Sequence, residues 1–342
     1  MDKEKEATIY DIARILNISP ATVSRGLKDH SAISKKTRKR ISDAAKELGY
    51  RSNLHAGNLR QGQGTNTIGV IIHWLNSNFI TSVLAGIEKA TTEAGYDLII
   101  GHSSEKADKE AANAANFFQK RVDGLIASLA NDTTDFSHFT PFIEKGIPLI
   151  FFDRVDESIP GTKVIIDNFR AAYEATEHLI QQGCRNIVHI TSSQKRNVYA
   201  ERLKGYKHAL LINGLEYDPN KIIATNLTED ASIEAAQAIL TMNPRPDGLF
   251  VVNDFCAAVC MHTLQEAGLQ VPQDIAIIGF NNDSITKIMV PKLTTVDYPG
   301  KEIGEVAGRQ LIMHLNNTGS NYNNTIVVPS KLIIRESSLR KG

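Results

Sequence analysis

Residues 8–28 read TIYDIARILNISPATVSRGLK, and this stretch predicts two short helices joined by a tight turn. Thr8 can cap the first helix, and Asn17 can take the left-handed conformation that ends it. Ser19 can cap the next helix only two residues later, with Pro20 at the first helical position, where its missing N–H costs nothing. The first helix is expected to pack inward through Ile12, Ala13, Ile15 and Leu16.

The following residues complete a three-helix unit. The segment SKKTRKRISDAAKELGY (34–50) predicts a third helix that begins after Ser34 and stops at Gly49. Its inward side chains are expected to be Ile41, Ala44, Ala45 and Leu48. Val23 and Leu27 can pack the second helix inward, because they lie four residues apart. Two helices joined by a tight turn and braced by a third predict a helix-turn-helix.

The outward face of the second helix carries small polar residues. A helix that enters the DNA major groove needs such residues at its N-terminal end, so that its backbone can approach the base edges. Arg25 can bond to guanine, and Pro20 and Ala21 can touch a thymine methyl group. Hydroxyl groups suited to phosphate oxygens are those of Ser19, Thr22 and Ser24. The alternative is a solvated helical hairpin, because such caps occur in any helical protein.

The charge distribution favours DNA. The chain balances 38 Lys and Arg against 38 Asp and Glu, but residues 1–60 hold 13 basic and seven acidic residues. A basic head on an acidic body indicates a polyanion-binding module joined to another domain. The start of the chain has no apolar run of a secretory signal, and three cysteines fit a reducing compartment, so we expect a cytoplasmic protein without a membrane partner.

The remaining residues predict an α/β body. RQGQGTNT (60–67) is typical of a linker. Beyond it, nine apolar strand-like runs alternate with amphipathic helices, which indicates parallel sheets covered on both faces. With 342 residues, the chain is long enough for two or three domains. The predicted fold class is therefore a small all-α helix-turn-helix headpiece plus an α/β body of two doubly wound parallel-sheet lobes.

Motifs along nearly the whole chain resemble the lactose-repressor (LacI/GalR) family of bacterial transcription regulators. The headpiece motifs are DIA (11–13), SPATVSR (19–25), TR (37–38), LGY (48–50) and AGNLR (56–60). The body motifs are FDR (152–154), IDN (166–168), ERLKGY (201–206), VVNDFCA (251–257), IGFNN (278–282) and LTTV (293–296).

The resemblance implies a periplasmic-binding-protein-like body with the ligand between its lobes. It places the headpiece at 1–52, a hinge helix and linker at 53–66, and the effector-binding and dimerisation domain at 67–342. Lobe one is then expected at about 67–165 and 294–322, and lobe two at about 166–293 and 323–342, with three chain crossings near 166, 294 and 323.

The resemblance also implies further DNA contacts. It assigns Leu59 to a wedge in the minor groove, where an apolar side chain would kink the duplex. The other contacts that it implies are Tyr10, Ser34, Thr37, Asn53 and Arg60. Tyr10 is equally compatible with a place in the headpiece core. Ser52 stands where the family usually has a proline, and Gly57 lies within the hinge, so the hinge helix is expected to be weak without DNA.

In the cleft, Asp153, Arg202 and Asn253 match the family's ligand-contact positions, and together they can bracket sugar hydroxyls. Two departures alter this pattern: Asn281 replaces the family's usual aspartate, and Tyr298 replaces a glutamine. HWLNSNFI (73–80) adds the last ligand candidates, Trp74, Asn76 and Phe79.

Several of these assignments have a structural alternative. Trp74 can stack on a sugar or pack at the lobe edge. Asp254 matches a ligand position as well, but we favour a helix cap. Arg154 can pair with Asp153 or with Asp156.

An enzyme and a stand-alone sugar-binding protein are the competing classes. No P-loop, HExxH or nucleophile elbow occurs in the sequence. Cys256 and Cys260 have acceptable metal spacing, but nothing nearby completes a site, so we expect buried thiols, with no metal and no cofactor.

The sequence thus predicts a homodimeric repressor of a pseudo-palindromic double-stranded DNA operator, controlled by a small effector such as a sugar. It leaves open whether the effector releases the DNA or promotes its binding.

Overall fold

A computed structural model describes residues 7–50, 64–192, 195–317 and 323–340. The chain divides into two compact units, Met1–Thr65 and Asn66–Gly342. The predicted hinge and linker at 53–66 therefore lies almost entirely outside the described residues. Within the described ranges, no helix is long and apolar enough to cross a membrane.

Within residues 7–50, the first unit forms three helices: α1 (Ile9–Leu16), α2 (Pro20–Leu27) and α3 (Lys35–Glu47). The expected caps form, because the Ser19 hydroxyl accepts from the Thr22 N–H at 3.1 Å and Ser34 does the same for Thr37 at 3.1 Å. Asn17 takes the left-handed conformation, with φ of 53°, that ends α1. The core of the unit is Ile12, Ala13, Val23, Ile41, Ala44 and Ala45, with Leu16, Leu27 and Leu48 packed against it.

The prediction of the headpiece core is wrong at one residue. Ile15 is 59% exposed, although Ile12 and Ala13 are buried as predicted. Ile15 lies two residues beyond Ala13, which is about 200° around an α-helix, so the two side chains point to opposite sides. The buried side of α1 carries Ile12, Ala13 and Leu16, and Ile15 lies outside it.

The second unit contains two six-stranded sheets, and all nine predicted strands are present. Sheet one has the order β11-β5-β4-β3-β1-β2, and sheet two the order β12-β10-β9-β8-β6-β7. Every pairing is parallel except that of β12 with β10. The strands are β1 (Thr67–Ile72), β2 (Asp97–His102), β3 (Gly124–Ala127), β4 (Leu149–Phe152), β5 (Thr162–Ile165), β6 (Ile187–Thr191), β7 (Ile222–Ala224), β8 (Gly248–Val251), β9 (Ala276–Asn281), β10 (Thr294–Asp297), β11 (Thr325–Val327) and β12 (Lys331–Ile333).

Helices cover the two sheets. In lobe one, α4 (Asn78–Glu93) packs on the last long helix, α12 (Gly300–Asn316). In lobe two, α7 (Asn168–Gln181) packs on α8 (Asn197–Ile212), and α9 (Glu229–Thr241) packs on α10 (Asp254–Glu266). The remaining helices are α5 (Ala107–Gln119), α6 (Thr140–Glu144) and α11 (Ile285–Ile288), with 3₁₀ turns at Ser137–Phe139 and Pro219–Lys221.

Two of the three expected crossings between lobes lie further along the chain. β10 (Thr294–Asp297) had been expected in lobe one, but it pairs with β9 and so belongs to sheet two. β11 (Thr325–Val327) had been expected in lobe two, but it pairs with β5 of sheet one. The chain therefore crosses after Asp297 and again between Val327 and Lys331. Strand pairing decides these positions, and strands of four and three residues are too short for their pairing to be predicted from periodicity.

The contact between α4 and α12 requires glycine. A β-carbon on Gly304 would overlap the Val83 carbonyl oxygen, and one on Gly86 would overlap the Lys301 carbonyl oxygen. The two helix backbones therefore touch directly at these points, which fixes the distance between α4 and α12.

We predict that Gly304→Ala lowers the free energy of unfolding by about 1–3 kcal/mol or more, because the added methyl group meets rigid backbone. Glu302→Ala, at an exposed position of the same helix, is the control and should have little effect. Urea denaturation of both variants measures the difference. Equal stability of the two variants would contradict the close backbone contact.

Candidate functional site

The outward face of α2 is the candidate DNA-binding surface. Ala21 and Arg25 are exposed on it, and Pro20, Thr22 and Ser24 are partly exposed. Buried Val23 and Gly26 hold its other side against α3, where a β-carbon on Gly26 would overlap Ile41. The helix therefore presents its small residues and Arg25 together at its surface, as a groove-binding helix requires.

Tyr10 of α1 lies at the surface of the headpiece and not in its core. Its side chain is 65% exposed, which contradicts a core role and leaves the phenol available for a phosphate. Thr37 is only partly exposed, and its hydroxyl lies 2.9 Å from the Ser34 hydroxyl at the start of α3. Exposed cations on α3 add positive charge: Lys35, Lys36, Lys39 and Arg40. The remaining predicted DNA contacts, Asn53, Leu59 and Arg60, lie outside the described residues.

The candidate ligand cleft lies where the carboxyl ends of the strands of both sheets meet, which is where open parallel α/β sheets bind ligands. Asp153 follows β4 with a left-handed backbone (φ of 58°) and is buried. Its carboxylate accepts from the Tyr298 hydroxyl at 2.7 Å and from the Ser128 hydroxyl at 3.4 Å. Burial raises the pKa of Asp153, and the neighbouring Arg154 opposes that shift.

Arg154 pairs with neither Asp153 nor Asp156. Its guanidinium donates to Glu105 at 2.6 Å and to the Tyr199 hydroxyl at 3.0 Å. Asp156 accepts instead from Ser158. Arg154 is buried, and its ion pair with Glu105 compensates the buried charge.

Arg202 is a buried cation on α8. It donates to the Asn168 side chain at 2.9 Å and to the Val252 carbonyl at 3.0 Å, and its guanidinium carbon lies 3.6 Å from the centre of the Phe280 ring. Burial lowers its pKa, and no described carboxylate forms an ion pair with it. An arginine held over an aromatic face by neutral acceptors is poised to meet a polar or anionic ligand.

Tyr298 lies between these groups. Its ring stacks on Phe79, with centroids 4.1 Å apart, and meets the Phe280 ring edge-on at 5.9 Å. The Arg202 guanidinium lies 5.5 Å from its centroid. Tyr298 is buried, and desolvation raises the pKa of its phenol well above the usual value, so the hydroxyl remains a donor. The structure thus brings four predicted ligand residues together: Phe79, Asp153, Arg202 and Tyr298.

Asp254 does not cap α10 as expected, and the ligand contact of Asn253 stays a prediction. Asn253, not Asp254, caps α10, because its side-chain oxygen accepts from the Cys256 N–H at 3.1 Å. Asp254 is fully buried, where it accepts from the Thr295 hydroxyl at 2.6 Å and the Asp283 N–H at 2.8 Å. Burial raises the pKa of Asp254 to about 7 and that of Asp283 to about 6. Asp254 therefore holds the loop that follows β9.

The other predicted ligand residues lie at the periphery. Asn281, with φ of 119°, lines a pocket of about 530 Å³ beside Phe79 and Tyr298. Trp74 is 44% exposed and meets His102 edge-on at 6.4 Å, and Asn76 is exposed. The ring contact of Trp74 is thus with His102, and its stacking on a sugar stays a prediction.

Sequence reasoning missed several cleft residues. His73 and Ser128 follow β1 and β3, and their side chains lie 3.0 Å apart. Burial lowers the pKa of His73, which keeps the ring neutral. Asn197 and Tyr199 begin α8, and both bond to residues after β4. His73 and Ser128 directly follow strands, and this placement could have marked them as cleft residues. Asn197 is the first residue of α8 and Tyr199 the third, and nothing in the local sequence indicates which residues they contact.

The cysteines are buried thiols. The Cys256 thiol donates to the Leu227 carbonyl at 3.3 Å, and that of Cys260 donates to the Ser232 carbonyl at 3.3 Å. Burial raises the pKa of both thiols, to about 12 for Cys260. Among the described residues, no cluster of His, Cys, Asp or Glu could hold a metal ion.

The geometry defines a class: a helix-turn-helix module joined to a two-lobed body of the periplasmic-binding type. Residues 8–53 match the family model "Bacterial regulatory proteins, lacI family", and residues 176–338 match "Periplasmic binding protein-like domain". Catabolite control protein A of Priestia megaterium is 32% identical over 97% of this chain and 99% of its own length. The ribose operon repressor of Haemophilus influenzae is 30% identical over 97% and 98%.

The chain belongs to the lacI family of bacterial regulatory proteins. It is a DNA-binding transcriptional regulator and not an enzyme, as the sequence predicts. A solved complex of the regulator CelR with cellobiose has a TM-score of 0.73 at 25% identity, and covers 97% of this chain and 99% of its own. The lac repressor dimer bound to operator has the same fold, with a TM-score of 0.82 at 23% identity and coverage of 98% and 100%.

The buried carboxyl of Asp254 predicts a pH dependence of stability. An unfolded aspartate has a pKa of about 3.9, so between about pH 4 and pH 7 the folded state retains a proton that the unfolded state has lost. The free energy of unfolding contributed by Asp254 therefore falls as pH rises through this window. Asp254→Asn should flatten the decline, and Asp283 and Asp153, whose pKa values burial also raises, should account for part of what remains.

Urea denaturation at several pH values between 4 and 8 checks this expectation. Glu234→Gln, an exposed position on α9 of the same lobe, is the matched control and should follow the wild type. An Asp254→Asn profile as steep as that of the wild type would show that Asp254 does not cause the dependence.

Proposed function

We propose that the protein is a transcriptional repressor that binds a pseudo-palindromic operator as a homodimer, through α2 of each headpiece. The exposed small residues and Arg25 on α2 support this assignment, since this helix can approach base edges closely. Tyr10, Ser19, Thr22, Ser34 and Thr37 would contact phosphates. Asn53 and Arg60 would add contacts from the hinge, and Leu59 would enter the minor groove. The protein would act in the cytoplasm, where its DNA lies.

We further propose that a small polyhydroxylated effector, such as a sugar or sugar derivative, binds between the lobes and sets operator affinity. The observation that carries this proposal is the meeting of buried Asp153 and Arg202 with three aromatic rings at the carboxyl ends of both sheets. A carboxylate and a guanidinium can bracket sugar hydroxyls, and aromatic faces can cover the apolar side of a sugar. The names of relatives support this class of ligand, because one is a ribose operon repressor and one was solved with cellobiose.

Effector and operator would be coupled through the relative arrangement of the lobes. A ligand that binds one arrangement more tightly shifts the population toward it, and operator affinity changes by the same coupling factor. Tyr298 lies at a crossing between lobes and touches residues of both, so it would transmit the change.

Arg25→Ala should weaken operator binding by about 1–3 kcal/mol and relax base preference at one position of each half-site. Lys46→Ala removes the same charge from the last turn of α3, so it separates base reading from loss of charge. Binding to operators with substituted half-sites, at one fixed salt concentration, measures both variants. Equal losses on specific and non-specific DNA for Arg25→Ala would contradict base reading by Arg25.

Arg202→Ala should abolish the response to effector. A ligand at a hundred times its Kd stabilises the folded protein by about 2.7 kcal/mol, so a thermal-shift series with D-ribose, cellobiose and related sugars can find a binder. The variant should lose the shift that the wild type shows, and its ligand-free melting temperature should fall because Asn168 and Val252 lose a donor.

Lys204→Ala is the matched control for this experiment. Lys204 lies on the same helix and pairs with Glu201 at 2.6 Å on an exposed face. Its variant should respond like the wild type. An undiminished thermal shift in Arg202→Ala would remove Arg202 from the ligand site.

A further inference from the structure

The phenol of Tyr298 occupies the cleft in the manner of a ligand. Its hydroxyl donates to the Asp153 carboxylate at 2.7 Å, and its ring lies against Phe79 of lobe one and Phe280 of lobe two. Only 4% of the side chain is exposed. A bound sugar would make the same two kinds of contact, a hydroxyl donated to the carboxylate and an apolar face laid against an aromatic ring of the protein.

Asp153 needs such a donor. Burying an ionised carboxylate without hydrogen bonds costs far more than a typical contact returns. Besides Tyr298, the Ser128 hydroxyl approaches the second carboxylate oxygen at 3.4 Å. Both donors belong to the chain itself, so the carboxylate is compensated without a ligand.

Asn197 joins the lobes at the same place. From the start of α8 in lobe two, its side-chain amide donates to the Asp153 carbonyl at 3.0 Å, and its side-chain oxygen accepts from the Val155 N–H at 3.0 Å. Both groups of the amide are thus paired with the backbone that follows β4 in lobe one. This two-point contact fixes the position of Asp153 relative to lobe two.

Two further side chains of the same helix region cross the cleft. Tyr199 accepts from Arg154 of lobe one at 3.0 Å, and Arg196 donates to the Thr133 carbonyl of lobe one. Tyr199 and Arg196 are both buried. The contacts from Arg196, Asn197 and Tyr199 join lobe two to lobe one, and the Tyr298–Asp153 hydrogen bond ties the crossing between the lobes to lobe one. We term these contacts together the interlobe latch.

We infer that the lobes of this protein close without an effector, because the interlobe latch supplies the contacts between lobes and Tyr298 takes the place of a ligand hydroxyl on Asp153. Closure of a two-lobed protein around a ligand is favoured by contacts that the ligand makes with both lobes. Here side chains of the chain make those contacts. As a corollary that rests on the proposed function, an effector hydroxyl reaches Asp153 only by displacing the phenol.

Hydrogen exchange of the full-length, ligand-free protein tests this inference. The Val155 N–H, whose acceptor is Asn197 of the other lobe, should be protected in the wild type. Asn197→Ala should raise its exchange rate about tenfold or more, because this substitution removes the acceptor of the N–H. Tyr298→Phe, which retains the ring and removes only the hydroxyl, should raise the rate as well.

Asn213→Ala is the matched control. Asn213 ends the same helix, and its amide donates to Ala209 within lobe two, so its loss should leave exchange at Val155 unchanged. Fast exchange of Val155 in the wild type, or equal rates in wild type, Asn197→Ala and Tyr298→Phe, would overturn the inference. No ligand or DNA enters the measurement, so its failure is distinct from failure of the proposed effector or operator binding.

Discussion

The buried carboxylate of Asp153 is the constraint around which the body is arranged. A charge removed from water must be met by hydrogen bonds, and at this position the donors come from separate elements. Tyr298 reaches it from the crossing after β10, and Ser128 reaches it from the end of β3. Asn197 holds its backbone from the other lobe. The carboxylate is thus satisfied from lobe one and from the crossing between the lobes, whereas the hydrogen bond to lobe two goes to the backbone carbonyl of the same residue.

Arg202 shows the complementary solution for a buried cation. Two neutral oxygens and the face of Phe280 hold its guanidinium, without an ion pair among the described residues. Such an arrangement retains positive potential in the cleft, since a bound carboxylate would have cancelled it. Arg154 behaves differently, because Glu105 neutralises it, and it serves as a contact between lobes. Arg202 and Arg154, two arginines of one cleft, therefore have separate roles.

The headpiece was predictable in detail because its determinants are local. Ser19, Ser34 and Asn17 act within three residues of themselves, and these interactions need no distant partner. Ile15 was the exception, since the pattern of an eight-residue helix leaves the width of its buried stripe undetermined. In the body, the apolar runs that form β1 to β9 were also predictable, whereas β10, β11 and β12, each three or four residues long, were not identified as strands.

The sequence by itself determined the class of protein. Caps and small residues define α2, and apolar runs that alternate with amphipathic helices define the sheets. Both kinds of pattern act over a few residues. Only the tertiary structure decided which polar groups meet. Asp153 and Tyr298 are 145 residues apart along the chain, and Arg154 and Tyr199 are 45 apart. Sequence identified Asp153 and Tyr298 as candidates, but it assigned both to a ligand and Arg154 to a nearby aspartate. The pairing depends on strand order and on where the chain crosses between lobes, and no local spacing encodes either.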